Sequence, residues 1–310
     1  MIHVLDVGCR YGVHETFNDY KDLLHFSMVD CDRSEITRLK RKYSKEKNMD
    51  FYNAFLGEKN CFINLFISEH KGYISSKTIN SNSIWFGKIR KDEKKIVRKV
   101  KQYSYNSSDW INKNKIKHDI VKIDLEGGEL EFLNGLKRKE FDKIECFIVE
   151  AHLDTTYKTD SNFSSLHKKL SENNFFLASF KTEKVEINTF HSENDKIPSC
   201  LNTIYLKNDY IFPEKINNNK RLIKMVNTAF VLKQYGILFE ILLNYKNILR
   251  QNKKNIFNPK IKYEIGHILN RKQKNINFSY KEANSLFYEI FREKFPKMNE
   301  FYESDFFNPS

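Results

Sequence analysis

The strongest constraint on the fold is a series of short, continuous apolar runs separated by polar or helix-patterned stretches. Ile2 to Val7, Ser27 to Asp30, Phe51 to Phe55, Ile120 to Asp124, Cys146 to Glu150 and Thr203 to Leu206 read as strands, and Asp32 to Tyr43 and Gly128 to Lys137 as helices. Strands that are apolar on successive residues are covered on both faces, and the intervening helices supply that cover. The pattern predicts an α/β fold with a mostly parallel sheet and helices on both faces. In such sheets ligands bind beyond the carboxyl ends of the strands, so the residues that follow each strand are the ones to read for chemistry.

Charge and turn residues divide the chain. Of a net charge of +13, residues 211–310 carry +9, and eight of the ten glycines fall in the first 140 residues. A domain over residues 1–210 and a basic helical extension over 211–310 are expected, with helices over 217–250 and 281–295 and breakers at Asn258-Pro259 and Phe295-Pro296. The apolar faces of the 217–250 helices need burial, which suggests a homodimer contact or a cover for an acceptor cleft. Five cysteines without CxxC spacing read as reduced, buried thiols in a cytoplasmic protein. No apolar stretch approaches the roughly 20 residues of a bilayer crossing, and no secretory leader pattern is present, so neither a membrane span nor secretion is expected.

The first strand runs into Asp6-Val7-Gly8-Cys9-Arg10-Tyr11-Gly12, a glycine turn leading toward a helix. Glycine there lets backbone approach a ligand, and a helix N-terminus offers unpaired N–H groups. The spacing is not the GxGxxG of a dinucleotide site, and Asp6 would repel a pyrophosphate while suiting a ligand amino group. The second strand ends at Asp30, where a carboxylate can accept both hydroxyls of a ribose. Its neighbour Asp32 reads as the N-cap of the next helix. A glycine turn and a ribose acid without phosphate determinants point to S-adenosylmethionine (SAM).

The run from Val121 to Gly135, containing Lys122-Ile123-Asp124-Leu125-Glu126-Gly127 and then Glu129, Leu133 and Gly135, resembles the hallmark of the FkbM family of SAM-dependent methyltransferases. Asp6 to Gly12 is similar to the family's first glycine motif, with Arg10 where Asn is usual, and Asp30 to its ribose acid, more often Glu. Asn53 to Gly57 resembles the segment after strand three, Ser75-Ser76 a serine pair, Ser108-Asp109-Trp110 the stretch before strand four, and Ile148 to His152 the E-x-H after strand five. The resemblance ends near residue 210. It implies a Rossmann-like class I methyltransferase fold with a seven-stranded sheet, and cofactor contacts from Asp6, Gly8, Arg10, Gly12, Asp30, Asn53 and Ala54.

Methyl transfer to an alcohol needs an aligned acceptor and a group to take its proton. With the family's strand order, Asp124, Glu126, Glu129, Glu150 and His152 converge near the methyl group. The candidates for catalysis are His152, Asp124 and Glu150, and Asp124 with Glu150 is also a candidate pair for Mg²⁺ or Mn²⁺. The resemblance implies an O-methyltransferase of a sugar hydroxyl, on a nucleotide sugar or a surface-polysaccharide precursor. A nucleic-acid methyltransferase is the alternative that the basic charge raises. Against a nucleic-acid partner, the segment after strand four is acidic and proline-free. A catalytically silent SAM-binding module is the third reading.

Overall fold

The computed structural model of the chain describes residues 1–70, 72–83, 95–159, 161–186, 196–211, 216 and 218–244. They form two compact units that meet in sequence at Asn208 and Asp209. The first unit is built on a seven-stranded sheet of β1 (Ile2–Val7), β2 (Leu24–Asp30), β3 (Met49–Asn53), β8 (Ile120–Ile123), β9 (Cys146–His152), β10 (Phe175–Glu186) and β11 (Lys196–Lys207). The order is β3-β2-β1-β8-β9-β11-β10, and β11 alone runs against its neighbours. This is the strand order of class I methyltransferases, as the resemblance implied. The chain winds outward from β1 to β3 and then restarts on the other side of β1 at β8, which makes the β1/β8 boundary the switch point where a ligand crevice opens.

Leu5, Val7, Val121, Ile123, Phe147 and Val149 present one face of this sheet to Trp110, Phe132, Leu133, Leu166 and Leu170. Those partners lie on α2 (Ser107–Lys113), α3 (Glu129–Asn134) and α5 (Phe163–Glu172). The strands therefore read as unbroken apolar runs. Helix α1 (Arg33–Lys42) starts where Asp32 accepts from the Ser34 amide at 2.9 Å, as the N-cap reading expected, and it buries Ile36 and Leu39.

Several elements differ from the sequence reading. After Gly12 the chain forms a 3₁₀ helix (Glu15–Leu23) rather than an α-helix, and the His14 side chain caps its first turn. The expected strand Phe51 to Phe55 divides at Ala54, whose N–H donates to the Asp30 carbonyl at 3.1 Å. Phe55 then begins a second sheet of β4 (Phe55–Gly57), β5 (Cys61–Ser68), β6 (Ile74–Ser75) and β7 (Ile96–Asn106), in the order β4-β7-β5-β6. The helix expected over Gly128 to Lys137 ends at Asn134, because Gly135 packs against the Gly57 carbonyl where a Cβ would lie 2.2 Å away, and α4 (Arg138–Lys143) follows. Cys61 is exposed rather than buried, at the open start of β5.

In the second unit, α6 (Asn219–Val231) and α7 (Tyr235–Asn244) are separated at Lys233, which takes φ 56°. Leu222, Met225, Val226, Ala229 and Phe230 form the buried stripe of α6. Positions 245–250 and the helix expected over 281–295 lie outside the described residues. No helix among the described residues is long and apolar enough to cross a membrane.

Candidate functional site

A cleft open to solvent lies over the β1/β8 switch point. Its wall contains Gly8, Arg10 and Tyr11 after β1, Asp30 and Cys31 at the end of β2, Ala54 and Phe55 where the two sheets part, Gly72 and Ile74 by β6, and Asp124, Leu125 and Glu126 after β8. Gly8 has φ 87°, and a Cβ on it would stand 1.8 Å from the Asp124 carbonyl oxygen. Only glycine lets the end of β1 and the turn after β8 touch in this way.

Asp30 is almost fully buried, and one carboxylate oxygen accepts from the Asp32 amide at 2.7 Å, which fixes its orientation. Burial pushes its carboxyl up, against that hydrogen bond and the nearby Arg10. Arg10 gives its guanidinium to Asp32 at 2.8 Å, and Arg38 donates to the Arg10 carbonyl. The guanidinium is thus committed to the α1 cap. Asn53 donates to the carbonyls of Asp30 and Cys31 at 3.0 and 2.9 Å, so it ties down the turn after β2, while its neighbour Ala54 reaches the cleft. Gly12, with φ 96°, closes the turn after β1 by donating to the Cys9 carbonyl and packs beneath the Tyr43 hydroxyl.

Beneath the cleft, β1 and β8 set Asp6 and Lys122 side by side. Asp6 is fully buried, and its carboxyl is pushed up to about 6 by burial, although Lys122 pulls it down. The Lys122 ammonium stands 3.0 Å from Asp124 Oδ2 and 3.4 Å from Asp6 Oδ1, and it donates to the Gly8 carbonyl at 3.0 Å. Burial opposes its charge, but Asp124, Asp6 and Glu150 together favour it. Lys122 opens the hallmark run quoted from the sequence, where it had been given no role. An ammonium inside an apolar run, between two strand-end acids, was the available signal.

Asp124 therefore has an ammonium as its cation, and no group of three or more His, Cys, Asp or Glu side chains among the described residues is arranged to hold a metal ion. The donor set that was a candidate for Mg²⁺ or Mn²⁺ does not fit one. Glu150 and His152 lie on the sheet face that carries Lys122, one strand beyond it, and neither is in the cleft wall. Burial together with Asp124 and Glu126 pushes the Glu150 carboxyl up. Burial pushes His152 down toward the neutral imidazole, whose ring meets that of Tyr157 at 5.8 Å.

Glu129, from the first turn of α3, folds back to accept from the Leu125 and Gly127 amides at 2.9 and 3.1 Å and from the Ser161 hydroxyl at 2.8 Å. It shapes the turn after β8 and is itself buried. Glu126 remains in the wall. Tyr11, 74% exposed, and Gly72 face each other across the rim, where a Cβ on Gly72 would meet the Tyr11 hydroxyl at 2.6 Å.

The family model described as the methyltransferase FkbM domain matches residues 7–177. No curated protein matches the chain. Among solved structures, a methyltransferase FkbM from Methylobacillus flagellatus KT is similar at 14% identity over 66% of this chain and 43% of that one, with a TM-score of 0.38. This chain therefore spans less than half of that protein's length. A precorrin-6y C5,15-methyltransferase from Geobacter metallireducens GS-15 is similar at 9% identity over 66% of this chain and 80% of its own, with a TM-score of 0.33. TrmK of M. capricolum, in complex with S-adenosyl-homocysteine, is similar at 11% identity over 94% and 90%, with a TM-score of 0.32.

Proposed function

The chain belongs to the FkbM methyltransferase family, and on that premise we propose that it transfers a methyl group from SAM to a sugar hydroxyl, on a nucleotide sugar or a surface-glycan precursor. The observation that carries this reading is the chemistry of the cleft wall. Three carboxylates, Asp30, Asp124 and Glu126, line it, while its one guanidinium is already held by Asp32. Such a wall repels a pyrophosphate and suits a ligand that is net cationic, with a sulfonium and an amino group. The Gly8 cradle and the oriented Asp30 carboxylate fit the close backbone approach and the ribose diol of a nucleoside.

When bound, SAM supplies an electrophilic methyl group on a sulfonium. The protein's own part is to hold and orient. Asp30 would take the ribose hydroxyls, Gly8 and Ala54 would leave room for the nucleoside, and Asp124 would face its amino-acid end, with Asp6 acting from beneath through Lys122. Arg10, Gly12 and Asn53 act one step back, through the α1 cap and the two turns. Of the three residues expected to serve catalysis, Asp124 reaches the cleft. Glu150 would act through the charge on Lys122, and His152 through the ring of Tyr157.

For the acceptor, a carboxylate in the wall suits a hydroxyl as the reacting group, which a sugar offers and which can pass its proton to that carboxylate. The test is transfer of tritium from methyl-labelled SAM to UDP- and GDP-linked sugars, and to RNA and DNA oligonucleotides. Label in a sugar, unchanged by EDTA, is the expected result. Label in an oligonucleotide and in no sugar would contradict the reading. Assembly through the 211–310 extension is part of the same proposal, with a homodimer as the expected form.

A further inference from the structure

One acid in the cleft wall is held at both ends, its backbone carbonyl by Ser75 and its carboxylate by Tyr157. Glu126 has φ 51°, a left-handed conformation that a residue other than glycine rarely adopts. Its carbonyl accepts from the Ser75 hydroxyl at 2.6 Å, and that hydroxyl in turn accepts from the Lys77 amide at 2.9 Å. Its carboxylate oxygen Oε2 accepts from the Tyr157 hydroxyl. Tyr157 is buried and lies over Gly127, where a Cβ would come within 2.9 Å of the ring.

The two clamping segments are also fastened to each other. Tyr157 bridges to Ile79, Lys158 donates to the Thr78 carbonyl at 2.9 Å, and the Asn80 side chain donates to the Thr155 carbonyl at 2.7 Å. The segments after β6, β8 and β9, distant in sequence, thus meet on Glu126. Asp30, Asp124 and Glu129 are held differently, and Asp30 is oriented by the Asp32 amide. Asp124 is taken up by Lys122, and Glu129 by two backbone amides and Ser161.

We propose that Glu126 takes the proton of the acceptor hydroxyl during methyl transfer, with Tyr157 and Ser75 as the residues that position it. This rests on the hydroxyl-methylating function proposed above. In the step, an oxygen lone pair of the acceptor forms the new O–C bond, the C–S bonding pair returns to sulfur as a neutral thioether, and the hydroxyl proton passes to the Glu126 carboxylate. The surroundings suit a base that works near neutral pH. Burial, then the charges of Asp124 and Glu129, pushes its carboxyl up, while the Tyr157 hydrogen bond and Lys122 pull it down. Glu150 on β9 and Tyr11 in the turn after β1 also feel its charge.

The experiment compares Glu126→Gln, Glu126→Asp, Tyr157→Phe and Ser75→Ala in the full chain. For each, S-adenosylhomocysteine affinity is measured by calorimetry, and kcat and KM as functions of pH on the best sugar acceptor. Glu126→Gln is expected to lose about 100-fold or more in kcat, well beyond any loss of cofactor affinity, and Glu126→Asp to restore part of the kcat loss. Tyr157→Phe and Ser75→Ala are expected to lower kcat more than they raise KM. Tyr157→Phe should also move the acid limb of the kcat/KM profile to higher pH, because it removes a hydrogen bond to the charged form.

A second readout needs no acceptor. In protein carrying carboxyl-¹³C glutamate, the Glu126 resonance, assigned by its loss in Glu126→Gln, should titrate above the ordinary carboxylate range and move higher in Tyr157→Phe. A Glu126 that titrates with ordinary carboxylates, or a Glu126→Gln variant with kcat near that of the parent, overturns the inference and leaves the sugar-methylating function intact. Failure of every sugar as acceptor, with the NMR behaviour as stated, overturns the sugar reading and the proton-transfer step built on it, and shows Glu126 only as a carboxyl tuned by Tyr157.

Discussion

Gly8 is where the cleft tolerates least change. Its positive φ and the 1.8 Å approach to the Asp124 carbonyl leave no room for a side chain, so Gly8→Ala must displace the turn after β8. The expected loss is at least ~2 kcal/mol in a urea melt, with S-adenosylhomocysteine binding lost alongside it. Asp6 gives a pH signature. Below about pH 4 its carboxyl is protonated in both the folded and unfolded chains. Between there and about 6, the folded chain keeps a proton that the unfolded chain has released. Stability should therefore fall as pH rises through that window, by up to roughly 2–3 kcal/mol, and Asp6→Asn should flatten the slope in melts at several pH values. Asp6, Gly8, Asp30, Asp124 and Glu126 were all legible as strand-end residues. Lys122 stood in the hallmark run without a role, although an ammonium inside an apolar strand signals one, whereas Tyr157, a tyrosine in a loop, acquires meaning only through what the fold sets beside it.

At the scale of elements, Asp30 at the end of β2 and Asp32 at the start of α1 divide the work. Asp30 is oriented by the backbone amide of Asp32, whereas the Asp32 side chain caps α1 and holds Arg10. Asp32→Ala keeps the amide, so it should cost about 1–2 kcal/mol of stability and leave S-adenosylhomocysteine affinity nearly unchanged. A large loss of affinity would instead make Asp32 a ligand contact. The doubly buried strands were readable from their unbroken apolar runs, whereas β5 and β7 were hidden. Much of both strands is solvated, and lysines on β7 occupy positions that an apolar alternation would need, with Lys101 over the Phe62 ring of β5 at 4.9 Å and Lys99 over Phe66 at 5.5 Å. The division at Ala54 and the stop at Gly135 depend on contacts between segments far apart in sequence, so no local pattern announces them.

Across the whole molecule, charge is segregated. A chain with a net charge of +13 keeps an acidic cleft, and most of the excess lies in residues 211–310. Total charge was therefore a poor guide to the ligand, and the charge of the cleft wall is the better one. The central claim, that this acidic, glycine-floored cleft holds the nucleoside of SAM, is tested most directly by calorimetric titration with S-adenosylhomocysteine of the full chain and of Asp30→Ala. The expected result is micromolar binding that Asp30→Ala weakens by roughly 1–3 kcal/mol, the loss of hydrogen bonds to a charged acceptor. No binding to the parent chain, or equal binding to both, would contradict it.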